Sequence, residues 1–87
     1  MPTVWIPALL RPFTGNHESL PATGATVREV IESLETQYPG IKERLCRDDV
    51  LRPGLAVVID TQVSREGLSA SVNANSEVHF IPAVSGG

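Results

Sequence analysis

Between Thr26 and Gly40 the chain carries its one long helical signal, and that signal restricts the folds open to everything else. Thr26-Val27-Arg28-Glu29 has the Ser/Thr-x-x-Glu spacing of a capping box. In that motif the hydroxyl and the carboxylate each satisfy an N–H that a helix start leaves unpaired. Val27, Val30, Ile31, Leu34 and Tyr38 then recur at helical spacing, with Arg28, Glu29, Glu32, Glu35 and Thr36 on the opposite face. Pro39-Gly40 stops the run. A single helix with one apolar stripe must bury that stripe, and the flanking segments that can receive it read as short strands.

Thr3 to Leu10 reads as a strand, with Val4, Ile6 and Ala8 on one face and Trp5 and Pro7 on the other. Pro7 lacks an N–H, so this strand is irregular or has a free edge there. A turn over Arg11 to Asn16 follows, marked by Gly15-Asn16, with Phe13 as a core plug beneath it. His17 to Ala22 completes a hairpin. After the helix, Ile41 to Arg47 forms a short second helix with Ile41 and Leu45 facing inward, and Asp48 to Gly54 is a loop. Leu55 to Asp60 is a strand with Leu55, Val57 and Ile59 inward and Ala56 and Val58 outward. Asp60 to Gly67 turns, with Val63 tucked in; Leu68 to Val72 is a short strand or turn, and Asn73 to Ser76 turns again. Glu77 to Pro82 is the final strand, Val78 and Phe80 inward and His79 and Ile81 outward. The result is an α+β roll: a sheet of four or five strands with one main helix across one face.

Composition narrows the function classes. Eighty-seven residues supply one core. Lys+Arg 7 against Asp+Glu 10 gives a net charge of −3, and the six arginines and the single lysine, Lys42, form no basic run. A nucleic-acid partner is not expected, because neutralising phosphates takes clustered cations. One cysteine, Cys46, excludes an internal disulfide and any multi-cysteine metal site. No apolar run approaches the roughly 20 residues of a bilayer span, and no signal-peptide pattern opens the chain. The expected location is the cytoplasm.

Conventional chemistry is thin. His17 and His79 fall in different strands with no metal-ligand spacing, and both read as solvated histidines. Asp48-Asp49 reads as a turn, Cys46 as a buried or incidental thiol, and no glycine-rich loop is placed to cradle a phosphate. No catalytic residue, bound cofactor or metal is expected. The last stretch is different: Phe80-Ile81-Pro82-Ala83-Val84-Ser85-Gly86-Gly87 begins as a strand, passes a proline and sheds bulk. Pro82 ends sheet pairing, dividing a domain over 1–82 from a flexible tail over 83–87. At about 3.4 Å per residue the tail reaches roughly 17 Å. Gly86 has no Cβ, so a pocket closes tightly around its backbone. The terminal carboxylate, with an ordinary pKa of about 3.3–3.7, is an ionised nucleophile.

The strand-strand-helix-strand order, the single capped helix and the ending Ile81-Pro82-Ala83-Val84-Ser85-Gly86-Gly87 resemble the ubiquitin-like sulfur carriers. That group includes the small subunit of molybdopterin synthase and the carrier of thiamine biosynthesis. The opening Ile6-Pro7-Ala8-Leu9-Leu10-Arg11-Pro12-Phe13-Thr14-Gly15 is similar to the first hairpin of the cysteine-biosynthesis members. The turn Asn73-Ala74-Asn75-Ser76-Glu77 departs from the Asp-Gly-Asp-Glu type of many relatives, which bears on the turn more than on activity. The resemblance implies a β-grasp fold and a protein cosubstrate rather than an enzyme. An adenylyltransferase/sulfurtransferase related to ubiquitin-activating enzymes would use ATP and magnesium to activate the Gly87 carboxylate, and sulfur would replace AMP to give a thiocarboxylate. The acceptor would be a pyridoxal-phosphate-dependent cysteine synthase, ahead of the molybdopterin synthase large subunit or thiazole synthase. Val84, Ser85 and Gly86 would give access, and Ile81, Val58 and His79 would form the docking patch of a free monomer. The same activation chemistry also serves a ubiquitin-like modifier joined to lysines through Gly87.

Overall fold

The computed structural model describes residues 1–82. Five strands form one mixed sheet: β1 (Thr3–Trp5), β2 (Ser19–Pro21), β5 (Leu55–Ile59), β6 (Gln62–Val63) and β7 (Glu77–Pro82), in the order β2-β1-β7-β5-β6. A small hairpin, β3 (Cys46–Arg47) with β4 (Val50–Leu51), stands apart from it. β1 and β7, the first and last strands, lie side by side and parallel, Val4 opposite Val78, while every other pairing is antiparallel. A parallel neighbour requires a crossover, and the long helix α1 (Val27–Gln37) lies on it. This is the β-grasp arrangement, with five strands in its sheet.

The core lies between α1 and the inward residues of the sheet. Val27, Val30, Ile31 and Leu34 are buried on α1, and Val4, Leu20, Val57, Val78 and Phe80 are buried beneath them. Thr26 caps α1 by accepting from the Glu29 N–H at 3.3 Å. The Glu29 carboxylate reaches one residue further back than the motif requires and accepts from the Ala25 N–H at 2.8 Å. A second helix, α2 (Ile41–Leu45), buries Ile41 and Leu45 as their spacing predicts. Its cap residue, Gly40, offers no side chain. The Glu35 carboxylate on α1 takes that part, accepting from Gly40 N–H at 3.0 Å and Lys42 N–H at 2.9 Å.

The structure corrects the sequence reading in several places. β1 stops at Trp5 instead of Leu10 because it has neighbours on both sides, and Pro7 cannot serve a central strand. Ala8–Thr14 winds instead into a 3₁₀ helix, and β2 contracts to Ser19–Pro21. That winding turns Thr14 inward, fully buried with its hydroxyl donating to Arg11 O at 3.2 Å. Phe13 is therefore no core plug: it is 42% exposed, with the Arg44 guanidinium 4.2 Å above its ring. The segment read as the loop Asp48–Gly54 carries β4, which pairs with β3 in a hairpin whose tip is Asp48-Asp49. β3 takes Cys46 and Arg47 out of the helix read over Ile41 to Arg47, so that α2 ends at Leu45. Val63 is not tucked in but stands 64% exposed on β6, within the segment read only as a turn. The tail expected over 83–87 lies outside the described residues. Among the described residues no helix is long and apolar enough to cross a membrane.

Candidate functional site: the open sheet face

α1 covers one face of the sheet and leaves the other open. β7 alternates as its sequence predicts, with Val78 and Phe80 buried and His79 and Ile81 turned the other way. The β5–β7 register sets Val58 opposite His79 and Ala56 opposite Ile81. The three residues expected to form the docking patch, Ile81, Val58 and His79, therefore share the open face on adjacent strands. The β5–β7 pairing continues to Pro82, the last described residue, which lies opposite Leu55. The predicted access residues Val84, Ser85 and Gly86 and the predicted reactive Gly87 fall outside the described residues.

Two further residues join the patch. Trp5 pairs with His79 across the parallel ladder, and Val63 pairs with Val58 across the β5–β6 hairpin. Trp5, His79, Val58 and Val63 thus form one row across four strands. The His79 ring stacks on the Trp5 indole, with centroids 5.3 Å apart and planes 3° from parallel. The indole N–H donates to the Glu77 carboxylate at 2.9 Å, tying the ring to β7. His79 is therefore half-buried in an aromatic pair rather than simply solvated. Ile81, 37% exposed, sits at the end of the patch nearest the tail. A period-two pattern puts Trp5 on an outward face but does not say which strand lies beside it; that needs the register. Val63 carried no signal beyond being apolar in a two-residue strand.

The other candidates fall into structural roles. His17 Nδ1 lies 2.9 Å from Thr14 O, inside its own turn. Asp48 and Asp49 both have positive φ and form the hairpin tip, Asp49 pairing with Arg28. The Cys46 thiol opens β3, and burial pushes its pKa up, away from reactivity. No group of three or more His, Cys, Asp or Glu side chains suited to a metal is found among the described residues. Asp60 has a positioning part: it accepts from Ser76 Oγ at 2.9 Å and from Glu77 N–H at 2.9 Å. The buried Ser76 hydroxyl also accepts from Asn73 N–H at 2.9 Å. These bonds fix where β7 begins, and hence where its other end delivers the chain. The Asn73–Ser76 turn closes with its own side-chain bond, Asn75 N–H to Asn73 Oδ1 at 3.0 Å, so the departure noted there leaves a formed turn.

Comparison with known proteins decides the family. The ThiS family matches residues 4–87. The chain belongs to the ThiS family. Its resemblance to the ubiquitin-like sulfur carriers is therefore borne out, as is the β-grasp fold that it implied. The chain is 40% identical over 92 residues to the sulfur carrier protein CysO of Mycobacterium tuberculosis, a match that covers 98% of this chain and 97% of that one. Among solved structures it is similar to a chain of the Amycolatopsis orientalis BexX/CysO complex, with a TM-score of 0.91, 38% identity and full coverage of both chains. It is also 32% identical over 65 residues to small archaeal modifier protein 3 of Haloferax volcanii, covering 72% of this chain and 71% of that one.

Proposed function

We propose that this ThiS-family chain is a sulfur carrier whose working atoms are those of the Gly87 carboxylate. A partner adenylyltransferase holds ATP and magnesium. A carboxylate oxygen of Gly87 attacks the α-phosphorus, pyrophosphate leaves, and an acyl-adenylate forms. Sulfur from a donor then attacks the acyl carbon and AMP departs with the former carboxylate oxygen, leaving a thiocarboxylate. The carrier contributes no catalytic group in this scheme; it is a protein cosubstrate. The observation that carries the reading is the family match running through Gly87, joined to 40% identity with a sulfur carrier protein over nearly the whole chain.

The fold supports a presenting role. β7 is anchored by Val78 and Phe80, pairs as far as Pro82, and has beside it an open face carrying Trp5, Val58, Val63, His79 and Ile81. Gly86 admits close approach to the backbone, and Val84 and Ser85 supply reach. Sulfur passes from Gly87 to an acceptor enzyme. The likeness to CysO, and to a chain solved in complex with BexX, favours such a partnership, and a pyridoxal-phosphate-dependent cysteine synthase is the acceptor we favour. The cytoplasm is the compartment this chemistry suits.

The test is intact-mass spectrometry after incubation with the cognate activating enzyme, ATP, magnesium and a sulfide donor. The expected product gains the mass difference between sulfur and oxygen, and a Gly87 deletion variant, still folded, gains nothing. An unchanged mass beside a demonstrably active enzyme rejects the reading. A second reading, conjugation to lysines as a modifier, is favoured by the likeness to small archaeal modifier protein 3. Gly-Gly remnants on cellular lysines would establish it; a thiocarboxylate without them would not.

A further inference from the structure

At the end of the sheet where β7 finishes, the fold leaves a groove of about 410 Å³ that the sheet-face patch does not include. Its apolar walls come from three separate parts of the fold: Pro7 and Leu10 from the start of the 3₁₀ segment, Pro53 and Leu55 from the entry to β5, and Pro82 from the end of β7. The volume lies in the range of about 300–1,000 Å³ typical of binding pockets. Leu9, beside it, is 87% exposed, an unusual state for a leucine flanked by other apolar surface.

Two arginines complete the lining. Arg44 is exposed and lies over the Phe13 ring, while Arg52 donates from Nε to Glu43 O at 2.7 Å. Neither is in an ion pair among the described residues, whose two pairs are Arg28–Asp49 and Lys42–Glu32. In a chain of net charge −3 this is a local excess of positive charge on an apolar groove. An occupant that was apolar throughout would strip water from two guanidinium groups and return nothing to them, which is costly. An occupant bringing carboxylates converts that cost into charge-assisted, fork-shaped hydrogen bonds.

We propose that this groove receives an apolar side chain flanked by carboxylates, presented by the enzyme that adenylates Gly87. The placement supports that occupant. Pro82 is both a wall of the groove and the residue from which the chain continues toward Gly87, so an enzyme enclosing residues 83–87 must pass over this end of the sheet. The groove and the open face then flank the chain's exit on two sides, one reading charge and the other shape. Arginine is among the residues that most often carry binding energy at protein interfaces. The inference rests on the sulfur-carrier reading.

The test is calorimetric titration of the full chain with its cognate activating enzyme at low and at moderate salt. Each variant is checked by circular dichroism and by thiocarboxylate formation on intact mass. Arg44→Glu and Leu9→Asp alter exposed side chains, so both should remain folded. Each is expected to weaken binding about tenfold or more, and Arg44→Glu to flatten the salt dependence. Arg44→Lys keeps the charge but not the fork, so it is expected to keep the wild-type salt slope while recovering only part of the affinity. Wild-type affinity and salt slope in both variants, with the wild-type chain charged normally, would overturn the groove's assignment and leave the carrier reading intact. Failure of the wild-type chain to be bound or charged would sink both. Self-association of the free chain that Arg44→Glu abolishes would also overturn it, by making a second copy the occupant.

Discussion

At Gly24 a Cβ would lie 2.7 Å from the Glu29 Cβ and 2.8 Å from the Val30 nitrogen, at a φ of +146°. The contacts are backbone and the first carbon of a helical side chain, so neither can swing aside. The glycine lets the chain enter α1 tightly enough for Glu29 to reach the Ala25 N–H. Gly24→Ala is therefore expected to destabilise the fold by about 2–3 kcal/mol, read as a fall in the urea midpoint. Thr61 presents the opposite case. The two-residue turn between β5 and β6 has Asp60 at φ +49° and Thr61 at φ +76°, and a β-branched residue is strained there. Asp60 must stay, because its carboxylate holds Ser76 and Glu77. Thr61 makes no such bond among the described residues, and Thr61→Gly is expected to raise stability by about 0.5–1 kcal/mol after the greater entropy of an unfolded glycine is subtracted. A melting temperature unchanged or lowered would contradict it.

Among the elements, α2 depends on a charge supplied from outside itself. The Glu35 carboxylate accepts the Lys42 and Gly40 N–H groups, and those bonds, Lys42's first, hold its pKa below the ordinary value of 4.5. A depressed carboxylate contributes stability that is complete above the unfolded-state value and is lost as pH falls through the folded one. Thermal stability should thus decline below about pH 4.5, and Glu35→Gln should show a shallower decline over that acid window while being less stable near neutrality. α1 itself is legible in the sequence because all its signals are local: cap, stripe and proline stop lie within fifteen residues, from Thr26 to Gly40. β1 is less legible. Its end at Trp5 is set by having β7 as a second neighbour, and β7 comes from the far end of the chain. The same reason hid two of the five residues of the open face. Alternation alone puts His79, Ile81 and Val58 outward, but only the register brings Trp5 under His79 and Val63 beside Val58. Phe13 is exposed because a 3₁₀ segment turns by thirds, and that winding buries its neighbour Thr14 instead.

For the molecule as a whole, a sheet covered by a helix on one side and open on the other gives two surfaces with different fates. On the covered side a polar substitution costs stability; on the open side it costs only what a partner gains there. Ile81 and Val63 stand at two margins of the open face, and both are exposed enough to accept a charge without disturbing the core. Ile81→Asp and Val63→Asp should therefore melt close to the parent chain, yet each should weaken binding to the activating enzyme by about tenfold, near 1.4 kcal/mol. Thr36→Glu, exposed on the outer face of α1, serves as the matched control and should bind normally. Ile81→Asp adjoins Pro82 and the route to Gly87, so it should also slow thiocarboxylate formation at saturating enzyme, whereas Val63→Asp should be rescued by raising the enzyme concentration. Equal loss at both positions at saturation would mean that the face acts in the chemistry and not only in docking, and equal retention at both would remove the face from the partner's footprint.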